Sequence, residues 1–171
     1  MGIPLRSPRG RVWNEILQAG KELGVVPCGL GARNTLRLEA RLPLYGHEIS
    51  DTINVWEAGL DRFCKMEKPD FIGRASLEKA KAEGTKRTLV GLEMLDRGIA
   101  RDGYKVLDSA GRKIGYVTSG SPAPFLKKNI ALVYVPPEFA ATGTELKVEI
   151  RGQGVKAQVV PTPFYKKPKK V

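Results

Sequence analysis

The sequence has one histidine, two cysteines and few aromatic residues, 7% of the total, and it contains no long apolar run. Each scarcity removes a class of function. A single imidazole, His47, cannot build a two-histidine metal site, and a lone histidine after Tyr45-Gly46 reads as a solvated turn residue before it reads as a general base. Cys28 and Cys64 lie far apart and belong to no CxxC or Cys/His cluster, so neither a zinc site nor a disulfide scaffold is indicated. A reducing compartment, the cytoplasm, is the simplest setting. No stretch approaches the roughly 18 apolar residues of a membrane span, and the opening MGIPLRSPRG has no apolar stretch long enough for a signal peptide. A glycine-rich dinucleotide turn, a P-loop, a nucleophile elbow and paired carboxylates at convincing spacing are all missing as well. No catalytic residue and no metal ligand is therefore assigned.

What is present is positive charge. Lys and Arg number 29 against 18 Asp and Glu, a net charge of +11, of which the lysines of the closing KKPKKV, a basic tail over 166–171, supply only part. Such an excess favours anionic partners, whether polyphosphate, a carboxylate-rich small molecule or an acidic protein surface. The tail itself reads as a solvated chain end.

The chain divides by its periodicity. Ser7 and Pro8 form a plausible N-cap and first helical residue, followed by Val12, Trp13, Ile16, Leu17 and Leu23 at helical spacing, which predicts an amphipathic helix over 8–23 stopped by Gly24. Its apolar stripe needs a partner surface. Residues 24–69 read as irregular: Pro27, Gly29 and Gly31 are breakers, and the alternation of Leu36, Leu38 and Leu42 with Arg37, Glu39 and Arg41 suits a short strand or a single helical turn equally. A surface helix is predicted over 73–83, with Gly84 as its stop. From Lys86 onward the pattern becomes short alternating runs between SAGR, PPEFAATG and RGQG turns, giving strands near 88–94, 104–107, 113–119, 130–135, 145–151 and 155–160. So many strands in so short a stretch favour a closed antiparallel barrel, because closure removes exposed edges. The predicted fold class is α+β: an incomplete α/β front segment over 1–85, followed by a small six-stranded antiparallel β barrel over 86–165.

Four motifs, in order, carry a resemblance. CGLGARNTLRLEARLPLYGHEI, EAGL followed by KPDFIGRASL, GRKIGYVTSGSPAPFLKKNIALVYVP and the closing VVPTPFY resemble the C-terminal half of the aminomethyltransferases, the T-proteins of the glycine cleavage system. The resemblance spans nearly all of the chain after residue 10. It implies a family fold of three domains around a folate channel, with residues 1–85 as the end of the folate-binding middle domain and 86–165 as the barrel domain. It also implies tetrahydrofolate as the one-carbon acceptor, the lipoylated H-protein as the partner carrying the aminomethyl group, and ammonia release. Arg33 stands where the family's GARD motif has its folate-binding arginine, and a planar guanidinium suits the carboxylates or polar pterin of a folate.

Three departures qualify these expectations. Asn34 replaces the acidic residue of that motif, Arg62 occupies a place where glycine cleavage members often carry tryptophan, and the family's catalytic aspartate belongs to an N-terminal half that this chain does not contain. The chain alone is accordingly expected to be inactive unless a separate N-terminal half chain completes it. Two alternatives stand beside this reading. One is a folate-dependent paralogue, such as a demethylase or oxidase domain acting on another methylated amine. The other is a non-enzymatic barrel binding nucleic acid through Tyr116, Tyr134 and Phe125, which the scattering of the basic residues disfavours.

Overall fold

The computed structural model describes residues 9–167, which fall into two compact units, one ending at Arg33 and the other beginning at Asn34. In the first, helix α1 runs over Arg9–Ala19 and a 3-10 turn over Lys21–Leu23. The helix predicted over 8–23 thus breaks early, at Gly20. A Cβ there would lie 2.4 Å from the Val25 side chain, and Val25 N–H donates to the Gly20 carbonyl at 3.0 Å, so the chain folds back over a glycine. Gly24 takes the predicted left-handed stop, with φ of 74°. The Ser7-Pro8 cap lies outside the described residues.

Helix α2, Leu30–Glu39, corrects the irregular reading of that stretch. Gly31 falls in the first turn, where a glycine costs little, and neither it nor Gly29 takes a positive φ. The alternation of leucine with charged residues was ambiguous because α2 buries the consecutive residues Arg37, Leu38 and Glu39 and leaves Leu36 exposed. Helix α3, Arg74–Glu83, starts one residue inside its predicted bound, with Gly73 in the left-handed conformation as its N-cap and Gly84 ending it.

The barrel comprises β1 (Thr88–Met94), β2 (Lys105–Leu107), β3 (Lys113–Ala123), β4 (Lys128–Val135), β5 (Glu145–Ile150) and β6 (Gln153–Val160), closed in the order β1-β4-β3-β2-β5-β6. All six expected strands are present and antiparallel. The β3–β4 pair is longer than its sequence suggested, because the small residues Gly120, Ser121 and Ala123 continue the ladder opposite Ala131, Ile130 and Lys128. Between β5 and β6, Arg151 and Gly152 both take positive φ, 51° and 80°, as a two-residue type I′ turn requires.

Alternate residues of each strand, including Val90, Leu92, Val117, Val133, Val148 and Val159, fill the interior. The outer face of β1 and β4 is covered too, since Leu89, Ile130, Leu132 and Tyr134 form a second cluster with Leu38 of α2, against which Phe164 packs. Burial on both faces explains why the β4 run NIALVYV shows no alternation. At Gly115 of β3 an added Cβ would sit 2.0 Å from the Tyr134 carbonyl oxygen. Gly115→Ala is expected to destabilise the barrel by about 1–3 kcal/mol, read as a lowered urea midpoint, because the obstructing atom is backbone. Among the described residues no helix is long and apolar enough to cross a membrane.

Candidate functional site

Two polar networks, the first buried and the second partly buried, fasten loops to the barrel's outer face. Arg37, on the buried side of α2, donates from Nη1 to Glu48 Oε2 at 2.8 Å, from Nη2 to Ser119 Oγ at 2.8 Å, and from Nε and Nη2 to Asn34 Oδ1 at 3.0 and 2.7 Å. Glu48, 0% exposed, also accepts from Leu44 N–H at 2.9 Å and the Thr118 hydroxyl at 2.7 Å, while its own carbonyl accepts from the Tyr134 hydroxyl at 2.8 Å. Every nitrogen of the guanidinium and both oxygens of the carboxylate thus have at least one hydrogen-bond partner. Asn34, accepting from both Nε and Nη2, braces Arg37.

In the second network Arg87 donates from Nε to Glu57 Oε1 at 2.9 Å, from Nη2 to the Thr52 carbonyl at 2.7 Å and from Nη1 to the Tyr116 hydroxyl at 3.1 Å. Its guanidinium lies 5.2 Å from the Tyr134 ring centroid. The Asn54 side-chain oxygen accepts from Trp56 and Glu57 N–H, both at 3.0 Å, which turns the EAGL segment toward the barrel. Burial, with Tyr116 beside it, raises the Tyr134 pKa above the ordinary phenol value. A raised folded-state pKa means stability that is complete below about pH 10 and declines as pH rises past the unfolded value. Spectrophotometric titration of the 5 tyrosines is expected to leave one un-ionised until the barrel unfolds, a resistant phase that Tyr134→Phe should abolish.

Neither network lines the opening most relevant to a ligand, a cavity of about 790 Å³ lined by Ala40, Arg41, Leu42, Pro43, Val55, Gly59, Leu60, Arg62, Phe63, Cys64, Leu77, Thr162 and Pro163. Its size suits a small organic ligand. Arg41 is unusual in three respects. It occupies the position just past α2 in a Schellman arrangement, where Leu42 N–H reaches the Arg37 carbonyl at 2.8 Å and Arg41 N–H reaches the Leu38 carbonyl at 3.0 Å. That position calls for a left-handed residue, usually glycine, yet Arg41 holds φ of 55°. Its Nε is buried with no hydrogen-bond partner among the described residues, and Nη2 donates only a long 3.3 Å bond to the Leu89 carbonyl. Finally, burial lowers its pKa from the usual guanidinium value, and the like charge of Arg62 adds to that. Gly59, with φ of 63°, makes room for it, since a Cβ there would sit 2.7 Å from Arg41 Nη2. A partly desolvated cation with an unfilled Nε donor, kept in a costly backbone conformation, has the charge and the donor to hold an anion.

The cavity wall also carries Arg62, stacked 4.6 Å over the Phe63 ring, together with apolar Val55, Leu60 and Leu77. It contains no carboxylate and no histidine among its lining residues. Arg33, the site residue named from sequence, is exposed on α2 in the N-terminal unit, and its guanidinium pairs with no carboxylate among the described residues. His47 is more tied down than a solvated turn residue, with Nδ1 at 3.0 Å from the Thr118 carbonyl and 3.5 Å from Asp102. Cys28 and Cys64 are free thiols, and the described residues hold no cluster of three or more metal-ligating side chains. Tyr134 is 1% exposed and Tyr116 packs against it at 5.8 Å, so two of the three aromatics of the nucleic-acid reading are committed to the fold.

Sequence reasoning missed Arg37, Arg41, Glu48, Glu57 and Arg87. For Arg41 a signal existed: a charged residue two places before Pro43, directly after a leucine-rich helical face, sits at a helix C-terminus where glycine is the ordinary choice.

Comparison with known proteins converges on one family. Residues 87–166 match the model of the glycine cleavage T-protein C-terminal barrel domain, and residues 6–68 match that of the GCVT N-terminal domain. The aminomethyltransferase of Koribacter versatilis is 73% identical over 160 residues, covering 94% of this chain and 42% of that protein. That of Acidobacterium capsulatum is 66% identical over 161 residues, covering 94% and 43%. The crystal structure of glycine cleavage system aminomethyltransferase T from Bartonella henselae superposes with a TM-score of 0.81 at 35% identity, covering 86% of this chain and 43% of that one. The chain thus spans less than half the length of the relatives it matches.

Proposed function

Because this chain belongs to the glycine cleavage T-protein family of aminomethyltransferases, we propose that it supplies a folate-binding wall of such an enzyme, residues 1–85 as part of the middle domain and 86–165 as the barrel domain. The observation that carries this reading is Arg41, a desolvated guanidinium with an unfilled donor in a largely apolar cavity. Tetrahydrofolate combines flat rings with a glutamate bearing carboxylates, and the two chemistries of the cavity match these two parts. Arg41 and Arg62 would hold the carboxylates, and Val55, Leu60 and Leu77 would cover the rings. Arg33, on the N-terminal unit, is proposed separately as a folate-contacting residue, on its match to the family's motif alone.

When bound, tetrahydrofolate accepts the one-carbon unit that the family takes from the aminomethyl-lipoyl arm of the H-protein, with release of ammonia. This chain's own residues bind and orient. The cavity offers no carboxylate or imidazole to move a proton, so transfer chemistry is assigned to the part of the family fold that this chain does not span. The net charge of +11 favours both an anionic folate and an acidic protein partner, and the cytoplasm is the proposed setting. Equilibrium dialysis against 5-methyltetrahydrofolate, a non-reactive analogue, should give saturable binding. Incubation with aminomethyl-lipoyl H-protein and tetrahydrofolate should give no transfer by the chain alone. Absence of binding would remove the folate assignment, and transfer by the chain alone would overturn the division of roles.

A further inference from the structure

One wall of the cavity is held from outside it. Residues 54–60 form a turn in which Ala58 N–H donates to the Asn54 carbonyl at 3.2 Å and Leu60 N–H to the Val55 carbonyl at 3.0 Å. Val55, Gly59 and Leu60 of this turn line the cavity, whereas Glu57 and Arg87 do not. Arg87, the residue before β1, nevertheless grips the turn at two points, the Glu57 carboxylate at 2.9 Å and the Thr52 carbonyl at 2.7 Å. The Glu57 carboxylate also accepts from Asn54 N–H at 3.1 Å. A rigid, planar guanidinium serves both acceptors in one geometry, which the single ammonium of a lysine cannot.

From Glu57 the support continues to the cavity's cation. Leu89 N–H donates to the Glu57 carbonyl at 3.1 Å, and the carbonyl of the same Leu89 is the group that Arg41 Nη2 reaches at 3.3 Å. Gly59 lies against that guanidinium, since a Cβ there would sit 2.7 Å from Nη2. We propose that Arg87 is a positioning residue for ligand binding: through Glu57 it fixes the turn and the Leu89 peptide against which Arg41 is aimed, without touching the ligand. The inference rests on the reading of this cavity as a folate site, and one arm of its test needs no folate.

The test uses the 171-residue chain carrying Cys28→Ser, which leaves Cys64, a free thiol in the cavity lining, as the one cysteine. Iodoacetate and iodoacetamide both alkylate the thiolate, whose sulfur displaces iodide, and they are similar in size, but only iodoacetate is an anion. The ratio of their rates at Cys64 therefore reports the positive potential in the cavity, while thiolate fraction and exposure cancel. Arg87→Lys, which keeps the charge, should lower the iodoacetate-to-iodoacetamide ratio about threefold or more by releasing Arg41 from its aim. Arg41→Gly should lower it at least as much, and the double variant no further, because both act through one guanidinium. Affinity for 5-methyltetrahydrofolate should follow the same pattern. Asn54→Ala, which loosens the same turn without altering a charge, should shift the ratio in the same direction and carries the test if Arg87→Lys does not fold. A role in stability alone would lower the unfolding midpoint and leave the ratio where it was. An unchanged ratio, or decreases that multiply in the double variant, would overturn the proposal. No folate binding by the parent, together with the expected alkylation pattern, would remove the folate assignment and uphold the role of Arg87.

Discussion

Replacing Glu48 by alanine is expected to cost the chain about 3–5 kcal/mol of stability, the effect of removing one partner from a buried ion pair. The carboxylate is fully buried and accepts from Arg37, Leu44 and Thr118, so its loss strands a guanidinium that is itself only 8% exposed. It also releases the 44–48 loop from the barrel, and with it the geometry of α2's C-terminal end. Urea denaturation followed by far-ultraviolet circular dichroism would read the change as a lower midpoint. The double variant Arg37→Met with Glu48→Leu should lose less than Glu48→Ala alone, because it leaves no uncompensated charge behind. If the single variant unfolds at the parental midpoint, the pair does not fasten the loop.

Arg41→Gly is expected to weaken binding of a reduced folate by about tenfold to a hundredfold, the equivalent of a charge-assisted hydrogen bond worth about 1.5–3 kcal/mol. The same substitution should leave stability unchanged or raise it. Glycine is the favoured residue at this left-handed position, and a cation with a buried, unpartnered Nε would no longer have to be accommodated. A residue whose removal costs binding while sparing the fold is held for function. Loss of both together would make Arg41 structural, and retention of binding would place the folate elsewhere.

The barrel was legible in the sequence because its strands alternate and its turns carry glycine at the positions that need it, as at Arg151-Gly152. The family motifs were legible as well. What escaped was the conformation of the segment that supplies the cavity's cation. The residues of α2 alternate leucine with charge because the buried side of that helix carries Arg37 and Glu39 beside Leu38. A hydrophobic pattern cannot register a buried arginine whose partner, Glu48, lies on a loop and whose other contacts come from Ser119 on a strand far along the chain. Likewise Arg33 and Arg41 look equivalent as sequence, two arginines in a basic stretch. Only the backbone separates them, one exposed on a regular helix and the other bent past its end into a cavity.

The most direct measurement is calorimetric titration of 5-methyltetrahydrofolate into the 171-residue chain and its Arg41→Gly variant. A saturable heat with one site per chain, reduced at least about tenfold in affinity by the substitution while the unfolding midpoint holds, is the predicted result. No heat of binding, or equal affinity in the two proteins, would contradict the assignment of this cavity to folate.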